Sequence, residues 1–174
     1  MIKSLLPNED LKNAREKLTD LFYDMLKDIY FAERQILKNL PKMAKAAHSE
    51  DLKKAFLAHH DETEGQIERL QPVFEIFGKR AQAKTCEAIR GILEEGEEII
   101  ENYKDSGALD AGLLAAGQAV EHYEISRYGT LKTWATRVGL KDAATLLDQN
   151  LQEEKKTDVL LSKLAEASIN ADAA

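Results

Sequence analysis

The chain has 174 residues and a mass of 19.5 kDa, which suits one domain with room for a sizeable hydrophobic core. Hydrophobic residues make up 44% and charged residues 32% of the chain, which excludes a disordered or fibrous protein. A net charge of −7 without a basic block argues against nucleic-acid binding, and a single cysteine excludes an internal disulfide and a cysteine-rich zinc site.

Apolar residues recur with helical periodicity and predict an all-α protein. We expect residues 1–18 to form a polar N-terminal arm with at most a turn or two of helix. The first long helix is predicted to begin at Thr19, a suitable N-cap, and to continue to about Ala47. Pro41 lies inside this pattern and is expected to kink the helix or end it early.

The second long helix is predicted to begin after the N-cap Ser49 and to end at Gly78, with Pro72 as a second candidate kink. The remaining apolar patterns predict a shorter helix and two further long helices, over about residues 85–104, 109–138 and 141–167. The bundle domain therefore spans residues 19–167, and we expect residues 168–174 to form a frayed C-terminal tail.

The lengths of the connections predict the topology of the bundle. Each pair of long helices is joined by a few residues, which favours two antiparallel helical hairpins. About thirty residues with a helix of their own separate the pairs, which indicates a long crossover. Two antiparallel hairpins joined by a long crossover carrying a fifth, shorter helix describe the ferritin-like four-helix bundle.

Each long helix carries at least one acidic residue on its apolar stripe, near its middle. With one histidine, these candidate metal ligands are Glu33, His59, Glu62, Glu121, Glu124, Glu154 and Asp158. Converging buried carboxylates repel one another unless lysine or arginine side chains, shared protons or metal ions compensate them. No lysine or arginine lies clearly on these stripes at this depth, and Arg127 is the nearest. A metal ion is therefore the simplest interpretation.

The ligand set also favours particular metals. Carboxylate oxygens dominate, with one or two imidazoles and no thiolate, which suits iron (Fe) or manganese (Mn) and suits zinc or copper poorly. Glu121 and Glu124 are three residues apart and share one helix face, as do His59 and Glu62. The alternatives stay open at this point: solvated helix faces for the acids, and a hydrogen-bonded core residue for His59.

Several segments resemble the YciE/YciF-like family of ferritin-like proteins. They are DMLKDIYFAERQILKNLPKMA (residues 24–44), HHDETEGQIERL (59–70), CEAIRGILEEG (86–96), VEHYEISRYG (120–129) and LQEEKKTD (151–158). The resemblance covers about residues 19–167 and implies a homodimeric ferritin-like bundle with a dinuclear metal centre, linked to bacterial stress responses.

The chain departs from the Glu-x-x-His pattern of the wider di-iron group at two positions. Gly65 follows Glu62 by three residues and Thr157 follows Glu154 by three residues, where that pattern has histidine. His59 and Asp158, each about one turn away, are the candidate replacements.

Two functions are consistent with these features. The first is a dinuclear Fe- or Mn-binding protein with redox, peroxide or ferroxidase-like chemistry. The second is a metal-free structural or protein-interaction protein, in which the inner acids are protonated or hydrogen-bonded to tyrosines. Since no segment has the apolar length of a signal peptide or a membrane span, we expect a cytoplasmic protein without membrane or nucleic-acid partners.

Overall fold

The computed structural model describes residues 8–174, with the side chains of Asn8 and Leu11 left aside. Residues 1–7 of the predicted N-terminal arm lie outside the described part. Five helices account for most of it: α1 (Asn8–Ala46), α2 (Glu50–Ile76), α3 (Glu87–Tyr103), α4 (Leu109–Val138) and α5 (Lys141–Leu164). A π-helical turn (Ala165–Ile169) and the short α6 (Asn170–Asp172) follow. Residues 8–174 contain no β-strand, as the all-α prediction requires.

The four long helices form a ring in which each packs against two others. α1 packs on α2 and α4, and α5 packs on the same two helices from the opposite corner. Asp110 accepts hydrogen bonds from the backbone amides of His48 (2.8 Å) and Ser49 (2.6 Å), so α4 begins beside the turn between α1 and α2. At the other end, the Arg15 guanidinium donates to the Val138 carbonyl oxygen at 2.7 Å. Neighbouring long helices are therefore antiparallel.

The fifth helix, α3, carries the chain back along the bundle before α4 begins. It packs on α4 and α1, outside the ring. The four apolar stripes meet in one core that includes fully buried Phe22, Leu70, Leu131 and Leu147. Burial of one such side chain stabilises the fold by about 1.5–3 kcal/mol, so packing of the stripes holds the ring together.

The predicted beginning of the first helix is wrong. α1 begins at Asn8 rather than Thr19, and the Thr19 hydroxyl donates to the Arg15 carbonyl at 2.8 Å as a residue inside the helix. The hydrogen bond from Arg15 to the end of α4 attaches this polar segment to the bundle. α1 and α2 also continue through Pro41 and Pro72, because extensive packing outweighs the loss of about 3 kcal/mol per proline.

Most of the other predicted helix ends agree with the structure. Ser49 caps α2 by accepting a hydrogen bond from the Leu52 amide at 3.4 Å, and Gly139 ends α4 with a φ of 93°. Beyond α5, helical structure continues to Asp172, and Ile169 in the predicted C-terminal tail is buried. In residues 8–174 no helix combines the length and apolar character that crossing a membrane requires.

Candidate metal centre

Five ionisable side chains from four helices are buried together in the centre of the bundle. We call them the inner cluster: Glu33 from α1, His59 from α2, Glu121 and Glu124 from α4, and Glu154 from α5. Each is at most 2% exposed to solvent. The helical period explains their position, because each lies on the same face as the apolar residues one turn before and after it.

The inner cluster is compact enough for several side chains to share one cation. His59, Glu121, Glu124 and Glu154 each offer a ligand atom, and these atoms all lie within 4.8 Å of one another. His59 Nε2 lies 3.2 Å from Glu121 Oε1 and 3.9 Å from one oxygen each of Glu124 and Glu154. The arrangement brings one imidazole nitrogen and three carboxylates to a common point.

Two neutral side chains orient acids of the inner cluster. The Tyr128 hydroxyl donates to Glu33 Oε1, and both residues are completely buried. The Gln66 amide donates to Glu154 Oε1 and, at 3.2 Å, to Glu153. Each contact leaves the second oxygen of the inner acid free to face the centre. These side chains therefore fix the direction of Glu33 and Glu154 without neutralising their charge.

Many polar atoms of the inner cluster have no hydrogen-bond partner among the described residues. They are Glu33 Oε2, His59 Nδ1 and Nε2, Glu121 Oε2, both carboxylate oxygens of Glu124, and Glu154 Oε2. An unsatisfied buried polar group costs about 1–3 kcal/mol, and more when it is charged. The unpaired oxygens and the imidazole are ligands that a hard or intermediate divalent cation accepts. The donor set thus fits a metal ion.

Burial changes the protonation of these groups. Loss of hydration raises the pKa of Glu33, Glu121, Glu124 and Glu154 well above the ordinary value, and the charges of neighbouring carboxylates raise it further. Burial lowers the pKa of His59, but the surrounding carboxylates, first Glu62, outweigh it and raise that pKa to about 9. Without a bound cation, the site therefore retains protons that a metal would displace.

The structure does not bring Glu62 and Asp158 into the inner cluster. The Glu62 side chain is 30% exposed at its edge, with Oε2 at 3.9 Å from His59 Nδ1. Asp158 is half-buried between α5 and α4, where its Oδ1 lies 3.3 Å from the Gln118 amide and 3.2 Å from His122 Nε2. Four residues along a helix leave two side chains about 40° apart around its axis, so Glu154 points inward while Asp158 does not.

Basic side chains near the inner cluster are engaged elsewhere. The Arg127 guanidinium, nearest by sequence, pairs with Asp28 at 3.5 Å and lies over the Tyr123 ring. Arg69 pairs with Glu153 and donates to Asn150 at 2.6 Å. Within residues 8–174 no lysine or arginine forms an ion pair with the four inner acids.

Two residues outside the predicted ligand set also belong to the site. Tyr128 and Gln66 each donate a hydrogen bond to an inner acid. A signal was present in each case. Tyr128 lies one turn after Glu124 on the same stripe, and Gln66 continues the inner stripe of His59 and Thr63.

Comparisons with known proteins agree with this architecture. Residues 17–174 match the family described as a domain of unknown function, DUF892. The chain is 44% identical to Protein YciF of Escherichia coli (strain K12) over 154 residues, covering 88% of this chain and 93% of that protein.

Solved structures show the same similarity. The crystal structure of the E. coli stress protein YciF matches with a TM-score of 0.84 at 44% identity, over 88% of this chain and 97% of that one. YcfI from Rhodopseudomonas palustris matches with a TM-score of 0.79 at 44% identity, over 83% and 92%. A protein from Xanthomonas campestris pv. campestris, at 22% identity and a TM-score of 0.68 over 92% and 95%, shares the fold. The chain therefore belongs to the DUF892 family of YciF-like proteins.

Proposed function

We propose that this protein is a ferritin-like bundle that binds two divalent iron or manganese ions per chain in the inner cluster. The observation that carries the proposal is the convergence of four buried acids and one imidazole, several of whose polar atoms have no hydrogen-bond partner among the described residues. The antiparallel ring of α1, α2, α4 and α5, with α3 in the crossover, supports the ferritin-like assignment.

Charge balance supports two ions rather than one. The four inner acids carry a charge of −4 when ionised, which two divalent cations neutralise, whereas one cation leaves a charge of −2 in a water-excluded site. Glu124 has both oxygens unpaired and is flanked by Glu33 and Glu121, so all three carboxylates would help to hold the bound ions.

Bound iron or manganese would supply redox chemistry toward oxygen or peroxide, and the surroundings of the inner cluster suit such chemistry. The anionic ligands favour a higher oxidation state, and apolar side chains such as Ile36 and Phe56 exclude bulk water. The hydroxyl of Tyr128 keeps Glu33 oriented. Since the similar E. coli protein is a stress protein, we place this chemistry in a bacterial stress response.

Metal analysis tests the proposal directly. The protein is loaded anaerobically with Fe²⁺ or Mn²⁺, desalted, and analysed by inductively coupled plasma mass spectrometry. We expect about two ions per chain. Glu124→Gln should lose most of the bound metal, whereas Glu98→Gln, on the exposed face of α3, should retain it. Failure of the wild type to bind metal, or full retention by Glu124→Gln, would refute the proposal.

One observation favours a metal-free alternative. His59 lies among three inner acids and has a pKa raised to about 9, so its imidazolium is an internal counter-ion at neutral pH. In that case the inner cluster is a structural network and the surface of the bundle carries the function. Nitrogen NMR of the His59 ring separates the two, because added Mn²⁺ or Fe²⁺ broadens the signals of a coordinated imidazole and leaves an imidazolium unchanged.

We retain the homodimer as a further part of the proposal. Light scattering coupled to size-exclusion chromatography should then report twice the chain mass of 19.5 kDa. A much larger particle would instead indicate an assembly of the kind that stores iron in a shell.

A further inference from the structure

A groove on the bundle surface leads toward the inner cluster. It runs between α2 and α5 and encloses about 410 Å³. Its walls are apolar, from Ala55, Ala58, Val159 and Leu160, and Lys156 and Lys163 also line it. Its polar lining is formed by His59, Glu62 and Thr157. Val159 and Leu160 are 50% and 42% exposed, so this side of the groove is open to solvent.

A small cavity lies behind the groove. Its volume is about 10 Å³, close to the space one water molecule needs, and Ile36, Phe56, Leu161 and Glu121 contribute to its lining. Ala55, His59 and Thr157 line both the groove and the cavity, so they form the partition between them. The groove and the cavity that reaches Glu121 are therefore adjacent at these three residues.

Glu62 lines the groove next to two residues of this partition, His59 and Thr157. Thr157 Oγ1 donates to its Oε2 at 3.3 Å, and Lys156 Nζ donates to its Oε1 at 3.4 Å. His59 Nδ1, which has no hydrogen-bond partner among the described residues, lies 3.9 Å from Glu62, whereas Nε2 of the same ring faces the inner acids. The imidazole therefore links Glu62 in the groove to the inner cluster.

We propose that this groove is the route by which divalent cations enter the inner cluster, with Glu62 as the first protein ligand and Lys156 as the partner that must release it. The inference rests on the proposed function. A cation that leaves water needs an oxygen ligand at each stage, and Glu62 is a carboxylate both open to the groove and next to His59. The ion pair with Lys156 competes with the cation for that carboxylate.

A second groove, between α1 and α3, also reaches the small cavity and is the competing route. It shares Asn39 and Leu93 with the cavity. Lys38, Lys42, Arg90, Glu94 and Glu97 line it, so its charge does not distinguish it from the groove between α2 and α5. Lys42 at 2.7 Å and Asn39 at 3.2 Å hold Glu97 there. No acid of this groove contacts His59 within the described residues, so the geometry favours the groove between α2 and α5.

Cation uptake kinetics test the route separately from binding. Stopped-flow absorbance follows Co²⁺ entering the metal-free protein, and calorimetric titration with Mn²⁺ measures the equilibrium affinity. Glu62→Gln should slow Co²⁺ uptake about tenfold or more and leave the affinity within about threefold. Lys156→Gln should accelerate uptake, because it frees Glu62 and removes a positive charge from the groove. Ala55→Ile should slow uptake, because the larger side chain fills space between the groove and the small cavity.

Matched controls lie on the same two helices. Glu68→Gln and Lys155→Gln change exposed side chains that neither line the groove nor belong to a group able to hold a metal ion, and both should take up Co²⁺ at the wild-type rate. Glu97→Gln reports on the groove between α1 and α3 and should also have no effect. Circular dichroism establishes that each variant is folded.

The possible outcomes are distinct. A lower affinity with an unchanged uptake rate in Glu62→Gln would make this residue a resident ligand and overturn the proposed route. Slower uptake in Glu97→Gln alone would assign entry to the other groove and also overturn it. If the wild type binds neither Co²⁺ nor Mn²⁺, the proposed function itself fails, and the entry route fails with it.

Discussion

Replacing Glu124 by glutamine should stabilise the metal-free protein while abolishing its stabilisation by metal. Glu124 is completely buried and neither carboxylate oxygen has a hydrogen-bond partner among the described residues. Burial and the charge of Glu121 raise its pKa, so at about pH 8 the fold must hold either a bound proton or an unpaired charge. Glutamine has nearly the same shape and removes that cost.

The expected change can be estimated from the cost of one unsatisfied buried group. Removing it should stabilise the metal-free protein by about 1–2 kcal/mol, since the new amide is itself only partly satisfied. For a domain of this size, this raises the midpoint of thermal unfolding by about 2–8 °C. Metal at about 100 times its dissociation constant should raise the free energy of unfolding of the wild type by about 2.7 kcal/mol, and that of Glu124→Gln by much less.

The assay is thermal unfolding followed by far-ultraviolet circular dichroism, with a chelator and with added Mn²⁺. The variant should unfold above the wild type in the chelator and below it in Mn²⁺, so the order of the two proteins reverses. Glu98→Gln, a change on an exposed face, should match the wild type in both conditions. A lower midpoint for Glu124→Gln in the chelator, or equal stabilisation of both proteins by Mn²⁺, would refute the reasoning.

Three further predictions concern stability. The metal-free protein should lose stability as pH rises from about 5 to 9. The raised pKa values of the inner acids and His59 make the folded chain keep protons that the unfolded chain releases, and each such proton costs about 1.4 kcal/mol of unfolding free energy per pH unit. Urea midpoints that stay constant or rise with pH would contradict this. Tyr128→Phe should destabilise metal-free protein by about 1–3 kcal/mol in urea titrations, since Glu33 loses its buried donor; an unchanged midpoint would show that the hydrogen bond contributes nothing. Gly139→Ala should lower the free energy of unfolding by about 1–2 kcal/mol, because the φ of Gly139 is 93°. Gly129→Ala, inside α4 with open space around it, should raise the free energy of unfolding by about 0.5–1 kcal/mol. Equal effects in thermal unfolding would contradict the assignment of the turn.

Most of the fold could be predicted because helical information is local. The period of 3.6 residues places side chains on a face without reference to the rest of the chain, which is why the stripes and the ends at Ser49 and Gly139 were predicted correctly. The beginning of α1 was missed although a local signal was present. Glu9 and Asp10 follow Asn8, and acids in the first turn favour a helix N-terminus, but the segment is mostly polar. The sequence could not show that Arg15 contacts Val138, 123 residues away, and attaches this segment to the bundle.

The site shows the same division. Sequence by itself determined that each long helix has an ionisable residue at an inner position, because a residue's side of the helix follows from its position along the period. The tertiary structure alone decided which of them converge. It turned Asp158 toward Gln118 and His122, left Glu62 in the groove, and placed Tyr128 against Glu33. These contacts depend on the rotation and depth of one helix against another, which residues on different helices set together.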